Sequence, residues 1–162
     1  MKEILLSQNM VAIVDDEDFE RLNIFKWTFS RQREKTGCAV RNIGRKDNGT
    51  VVLYRMHWEI MGKPKKGFVV DHINGNELDN RKCNLRICSY RNNARNKVKQ
   101  KNNTSGYKGV SLDKRRNKWS VRIKTNNKYK FCGYFKNIID AVKTYNDVAK
   151  KYHGKFANLN II

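Results

Sequence analysis

The chain has no long apolar run, no amino-terminal signal segment and no C-x-x-C pair. The first two absences exclude a membrane span and an export signal, so an intracellular protein is expected. Cys38, Cys83, Cys88 and Cys132 lack the tight paired spacing of a zinc ribbon, since four residues separate Cys83 from Cys88. Buried, reduced thiols are expected instead. Neither a basic amphipathic helix nor a lipidation signal is present, which argues against a membrane partner. Acidic residues are scarce: 15 against 35 Lys and Arg, for a net charge of +20. Such a charge opposes compaction by self-repulsion, so it points to a polyanionic partner, most commonly nucleic acid.

The scarcity of acids is uneven. Residues 1–20 hold six acids, whereas residues 81–130 hold seventeen Lys and Arg and one acid, Asp113. The polyanion surface is therefore expected in the second half. With 162 residues and 39% apolar content, the chain suits one ordinary domain or two small ones.

Along residues 1–64 the pattern is mixed and β-rich. Short apolar runs surround Ile4-Leu5-Leu6 and Val11-Ala12-Ile13. Asp15-Asp16-Glu17-Asp18 reads as a helix start, with Phe19, Leu22 and Phe25 facing inward. Trp27-Thr28-Phe29 and residues 39–43 read as strands, Asp47-Asn48-Gly49 as a turn, and residues 50–56 as a further strand. A short helix over 57–61 would end at Gly62 and Pro64.

Residues 68–97 carry the chemistry. Phe68-Val69-Val70 is a short strand running into Asp71-His72; Asn74-Gly75 signals a turn; residues 84–87 form a second strand. Ser89 can cap a helix from Tyr90 to about Lys97. At the strand end a carboxylate and an imidazole diverge from adjacent positions. One can bind a metal while the other handles a proton, and phosphodiester hydrolysis needs both. Histidine has a suitable pKa for the base, and oxygen donors suit Mg²⁺ or Mn²⁺.

Residues 107–160 read as a separate unit. Trp119, Val121 and Ile123 alternate with Ser120, Arg122 and Lys124, and Tyr129 and Phe131 alternate with Lys128 and Lys130. Asn126-Asn127 would turn between these strands. Ile138, Ala141, Val142, Tyr145, Val148, Ala149 and Tyr152 recur at helical spacing, with Asn137 as cap and Gly154 as stop. A three-stranded sheet with one helix on its apolar face follows, with the basic face open. Trp119 and Phe131 are expected in the core.

Val70-Asp71-His72-Ile73-Asn74-Gly75-Asn76, with Asn80, Asn84-Leu85-Arg86 and Asn93-Ala94-Arg95-Asn96, resembles the HNH homing endonucleases of phages and introns. The resemblance is close over about 65–97. It is looser over 1–64, where Val14-Asp15-Asp16, Lys26-Trp27 and Arg55-Met56-His57 echo those proteins. It implies His72 as general base, Asp71 and Asn93 as ligands of one divalent metal (Mg or Mn), and Asn84 as the catalytic motif's central tether. Asn92 and Asn96 are alternatives to Asn93. Asn93 stands where the family's name implies a terminal His, a variant frequent in this subgroup. It leaves the metal one carboxylate and one amide, with DNA phosphate completing the site. His57 reads as structural or as a phosphate contact, and His153 as structural.

Tyr107-Lys108-Gly109-Val110, residues 119–123, Phe131-Cys132-Gly133-Tyr134-Phe135, Ala141 with Tyr145, and residues 154–160 resemble an AP2 DNA-binding domain. That resemblance implies contacts to double-stranded DNA from Lys108, Ser111, Arg122, Lys124, Lys128 and Lys130. Ser111 stands where plant members carry Arg, which weakens the case for a base-specific contact there.

The expected class is α+β: a ββα-metal nuclease core with a β-rich N-terminal region, then a three-stranded sheet on one helix. The expected division is 1–97 nuclease domain (core motif 68–97), 98–106 basic linker and 107–162 AP2-like domain. The resemblance implies a strand-nicking, site-specific endonuclease, monomeric on DNA, in the cytoplasm of a bacterium or phage-infected host. A non-catalytic DNA-binding regulator with a degenerate nuclease fold is the alternative. An RNA-binding or ribosome-associated protein fits the charge alone.

Overall fold

A computed structural model describes residues 1–33, 36–97, 99, 102–126 and 128–162. The chain divides into two compact units, Met1–Tyr90 and Arg91–Ile162. Both mix small antiparallel sheets with helices, giving an α+β protein. Among the described residues, no helix is long and apolar enough to cross a membrane.

In the first unit, β1 (Lys2–Leu5) and β2 (Val11–Val14) form a hairpin. The helix α1 (Asp16–Asn23) follows, with Asp16, Glu17 and Asp18 in its first turn, where the helix dipole favours carboxylates. Then β3 (Thr28–Arg33), β4 (Thr36–Arg45) and β5 (Val51–Arg55) make a three-stranded sheet. A short helix, α2 (Met56–Met61), ends at Gly62. Ile4, Leu6, Ala12, Val14, Leu22, Trp27, Ala39 and Met56 form one core. The Trp27 indole N–H donates to the Leu22 carbonyl at 2.8 Å, so this large ring is buried without an orphaned donor.

The strands β6 (Phe68–His72) and β7 (Leu85–Ser89) pair antiparallel, and α3 (Tyr90–Asn96) continues directly from β7. Asn74-Gly75 makes the expected turn: Gly75 N–H donates to the His72 carbonyl at 3.0 Å, and Gly75 has φ +76, a conformation suited to glycine. The chain between β6 and β7 docks on β2. Ile13 N–H donates to the Leu78 carbonyl, and Asn80 N–H donates to the Ile13 carbonyl, both at 2.8 Å.

In the second unit β8 (Val110–Asp113), β9 (Lys118–Thr125) and β10 (Lys128–Phe135) form a sheet in the order β10-β9-β8. The helix α4 (Ile138–His153) covers one face. Its Asn137 cap accepts the Ile139 N–H at 2.7 Å, and Gly154 ends it at φ +53. Ala141, Val142, Tyr145 and Ala149 of α4 pack on Val110, Val121 and Ile123. The carboxy-terminal tail is tied back by Asn160, whose amide exchanges hydrogen bonds with the backbone of Lys108 at 2.7 and 3.0 Å.

Three expectations need correction. Tyr129 and Phe131 are not core residues: they are 71% and 48% exposed. The register places Tyr129 opposite Lys124 and Phe131 opposite Arg122, so both rings lie on the face away from α4. Lys130 pairs with Ile123 instead, on the helix side, and its ammonium donates to the Tyr152 hydroxyl of α4 at 2.6 Å. Cys132 keeps the helix-side phase of Lys130, and the bulge there shifts the alternation that follows, so Phe135 packs on the core while Tyr129 and Phe131 do not. The thiols are also not uniformly buried, because Cys83 is exposed. The turn expected at Asn126-Asn127 and the linker expected over 98–106 fall partly on residues 98, 100, 101 and 127, which lie outside the described residues.

Candidate functional site

The β6–β7 hairpin brings Asp71, His72 and Asn84 together. The apolar run Phe68-Val69-Val70 makes β6 a strand, and its pleat sends Asp71 and His72 to opposite faces at its end. Both are buried, at 5% and 6% exposure. Asn84 precedes β7, and its side chain ties the intervening loop twice. Its amide oxygen accepts the Asn74 N–H at 2.9 Å, and its amide nitrogen donates to the Asp79 carbonyl at 2.8 Å.

Asp79 is a second anchor of this loop. Its carboxylate receives Arg81 from Nε and Nη2, both at 2.7 Å, and the Asn74 amide at 2.9 Å. Those donors, Arg81 above all, hold its carboxyl below the usual carboxylate range. Lys82 is held by the acids at the start of α1. Its N–H donates to Asp15 at 2.7 Å and its ammonium meets Glu17 at 2.5 Å and Asp18 at 3.3 Å.

The Asn80 carboxamide sets the tautomer of His72. Its nitrogen donates to the Leu78 carbonyl at 3.2 Å, which leaves Oδ1 facing His72 Nε2 at 3.3 Å. An amide oxygen only accepts, so Nε2 carries the proton and Nδ1 carries the lone pair. Burial holds the His72 pKa below its ordinary value; the Asn80 hydrogen bond and the carboxylates of Glu77, Asp71 and Asp79 oppose that shift. The imidazole is therefore neutral at physiological pH, the form a base needs.

Arg86 stands opposite Asp71 across the hairpin. Its Nε and Nη2 reach the same Asp71 oxygen at 2.8 and 2.7 Å. The sequence gives this pairing no local signal, because it depends on a strand register closed over a twelve-residue loop. The Glu77 carboxylate, also unanticipated, acts electrostatically on His72, and its Oε2 is buried without a hydrogen-bond partner among the described residues.

His57 lies beneath His72, with ring centroids 5.1 Å apart and planes at 78°. Burial, then the neighbouring His72 and Arg55, pushes its pKa down to about 3. The unfolded chain therefore binds more protons than the folded one between about pH 6.5 and pH 3, and stability falls as pH drops through that window. Each such histidine contributes a slope of up to about 1.4 kcal/mol per pH unit. We expect His57→Gln to flatten the loss of stability between pH 6 and pH 4 by close to that slope, read from urea midpoints. Parallel midpoint curves for the two proteins would contradict it.

A hard divalent cation suits this donor chemistry. The Asp71 carboxylate and the buried Glu77 Oε2 are oxygen donors of the kind such a cation takes, although among the described residues no three His, Cys, Asp or Glu side chains come together to hold a metal ion. Asn93 lies half-buried on α3, on the second unit's side of the division. Asn92 accepts from Arg95 at 3.1 Å, and Asn96 is buried.

On the second unit, Ser111, Arg122 and Lys124 share the open sheet face. Lys130, as described above, points to α4, and Lys128 shares its side of β10. The Lys108 ammonium donates to the carbonyls of Arg95 at 2.7 Å and Lys97 at 2.5 Å, at the end of α3. Burial lowers its pKa to about 8. His153 meets the Lys124 carbonyl at 2.9 Å, a structural contact.

Residues 53–95 match the HNH endonuclease family, a stretch that runs from β5 to α3 and includes Asp71, His72, Asn84 and Asn93. The chain is 33% identical over 102 residues to Protein 3.8 of Escherichia phage T7, covering 62% of this chain and 83% of the relative. No solved structure matches the chain. HNH nucleases generally use a divalent metal and act on DNA. The chain therefore belongs to the family of phage T7 Protein 3.8 and carries an HNH endonuclease domain over residues 53–95.

Proposed function

We propose that the protein is a site-specific DNA endonuclease of the homing type that nicks one strand through a ββα-metal core. The observation that carries this reading is His72: a buried, neutral imidazole at a strand end, with its Nδ1 lone pair set by Asn80 and a carboxylate on the adjacent residue. In this reading His72 Nδ1 takes the proton of the attacking water. By the family pattern Asp71 and Asn93 would hold one Mg²⁺ or Mn²⁺, which would supply charge neutralisation at the scissile phosphate when bound. Asn84 keeps the loop closed around His72. Arg86 fixes the orientation of Asp71 and moderates its charge until substrate arrives.

The domain division that suits this reading is nuclease over 1–97, linker over 98–106 and an AP2-like DNA-binding domain over 107–162. The second unit then supplies affinity and register on double-stranded DNA, where Lys and Arg take phosphates and Arg is the better reader of bases. One active site in a monomer cuts one strand.

The test is conversion of supercoiled plasmid bearing genomic target DNA. With Mg²⁺ or Mn²⁺ the protein is expected to yield open circle, and EDTA to abolish the product. Linear product appearing with no open-circle precursor would sink the nickase reading. Tight specific binding with no cleavage under either metal would favour a DNA-binding regulator.

A further inference from the structure

The sheet of the second unit has one face covered by α4 and one left open. That open face is not simply basic. Tyr129, Phe131 and Tyr134 lie on it at 71%, 48% and 37% exposure. Phe131 and Tyr134 are three residues apart, a spacing that would put them on opposite faces of a regular strand. The bulge at Cys132 brings them to one side, and Gly133 adopts the φ of +128 that the bulge uses. Their rings lie 4.7 Å apart at 55°.

Cations are interleaved with these rings. Arg122 pairs with Phe131 and Lys124 with Tyr129 across the strands, and the Lys124 ammonium lies 5.9 Å from the Tyr129 ring centroid. Arg116 lies 5.0 Å from the Tyr134 ring centroid. The acid at this edge, Asp113, is paired with Arg116 at 3.1 Å. A second copy of this chain is a poor occupant, because two such faces would oppose like charges. Duplex DNA presents edges and phosphates but hides the base faces in its stack, so it would leave these ring faces unused. Unpaired bases offer a π-face to each ring and phosphates to the cations between them.

We propose that the open face of the β8–β10 sheet is a stacking platform for single-stranded DNA, with Phe131, Tyr134 and Tyr129 taking base faces while Arg122 and Lys124 take phosphates. This deepens the DNA-binding reading of the second unit and rests on it.

The test uses the full-length protein in EDTA at fixed salt, with labelled oligothymidylate of about twelve nucleotides and a labelled hairpin duplex, read by fluorescence anisotropy. Phe131→Ala is expected to weaken single-strand binding by about tenfold and duplex binding by less than about twofold. Phe131→Leu, which keeps apolar bulk and removes the aromatic face, is expected to lose most of the same affinity, with thermal melts showing both variants folded. Wild-type affinity in Phe131→Leu would overturn the platform. So would equal losses on duplex and single strand, or tighter binding of oligouridylate than oligothymidylate. Because no cleavage is read, a protein that never cuts can still satisfy this test. Failure of the wild type to bind either DNA form would overturn the DNA-binding reading itself, whereas binding of both forms with Phe131→Ala unaffected overturns only the platform.

Discussion

Replacing His72 with alanine is expected to reduce plasmid nicking by about 10²–10⁴-fold, the range for removal of a positioned general base. Duplex affinity in gel shifts should stay within about twofold, since a neutral, buried imidazole contributes little to phosphate attraction. The asymmetry follows from the site. His72 is 6% exposed, and its Nε2 is committed to Asn80, so its chemistry is confined to Nδ1. Residual cleavage would come from charge stabilisation at the phosphate, which the substitution leaves in place. The truncation also removes the ring packed against His57. A melting comparison therefore accompanies the assay, and an unfolded variant would be replaced by His72→Gln, which keeps bulk without a comparable base. Undiminished nicking by a folded variant would sink the proposed mechanism.

Gly109→Ala is expected to destabilise the second unit by several kcal/mol, among the largest effects any single methyl could have here. Gly109 has φ +74, and a Cβ there would overlap the Tyr145 ring and come within 2.8 Å of the Arg122 carbonyl oxygen. That carbonyl belongs to the middle strand, and the Arg122 N–H donates to the Gly109 carbonyl at 2.9 Å, so neither backbone can retreat without breaking the sheet edge. Gly154→Ala provides the comparison. It also has positive φ, +53, but open space around the added methyl. It should cost only the conformational penalty of φ +53 with ψ −132, roughly 1–3 kcal/mol. Thermal melts with DNA anisotropy should show Gly109→Ala losing at least about 10 °C and its DNA binding. A shift no larger than that of Gly154→Ala would contradict the packing argument.

Much of the architecture was legible because its signals are local. The run Phe68-Val69-Val70 followed by Asp71-His72, the Asn74-Gly75 turn, and the Asn137 and Gly154 helix ends each announce themselves within a few residues. What escaped depends on register. Arg86 meets Asp71 only once the hairpin is aligned, and Lys82 finds the α1 acids through contacts 65 residues away in sequence. The cluster at Asp15–Asp18 read as a helix start, which it is, but its second role as a clasp on Lys82 has no signature in spacing. Tyr129 and Phe131 were misplaced for a different reason. Alternation gives a period but not a phase, and the pairing of Lys128 with Thr125 puts Tyr129 and Phe131 on the open face before the bulge is reached.

The clasp between β2, α1 and the loop after His72 sets a limit on portability. The segment that matches the HNH family begins at residue 53, yet the loop carrying Asn80 is hydrogen-bonded to Ile13 on both sides, and Lys82 to Asp15. A minimal cassette cut at the family boundary would keep every motif residue and lose the brace that orients the imidazole. Grafting this HNH domain onto another protein therefore calls for the chain from its first strand onward.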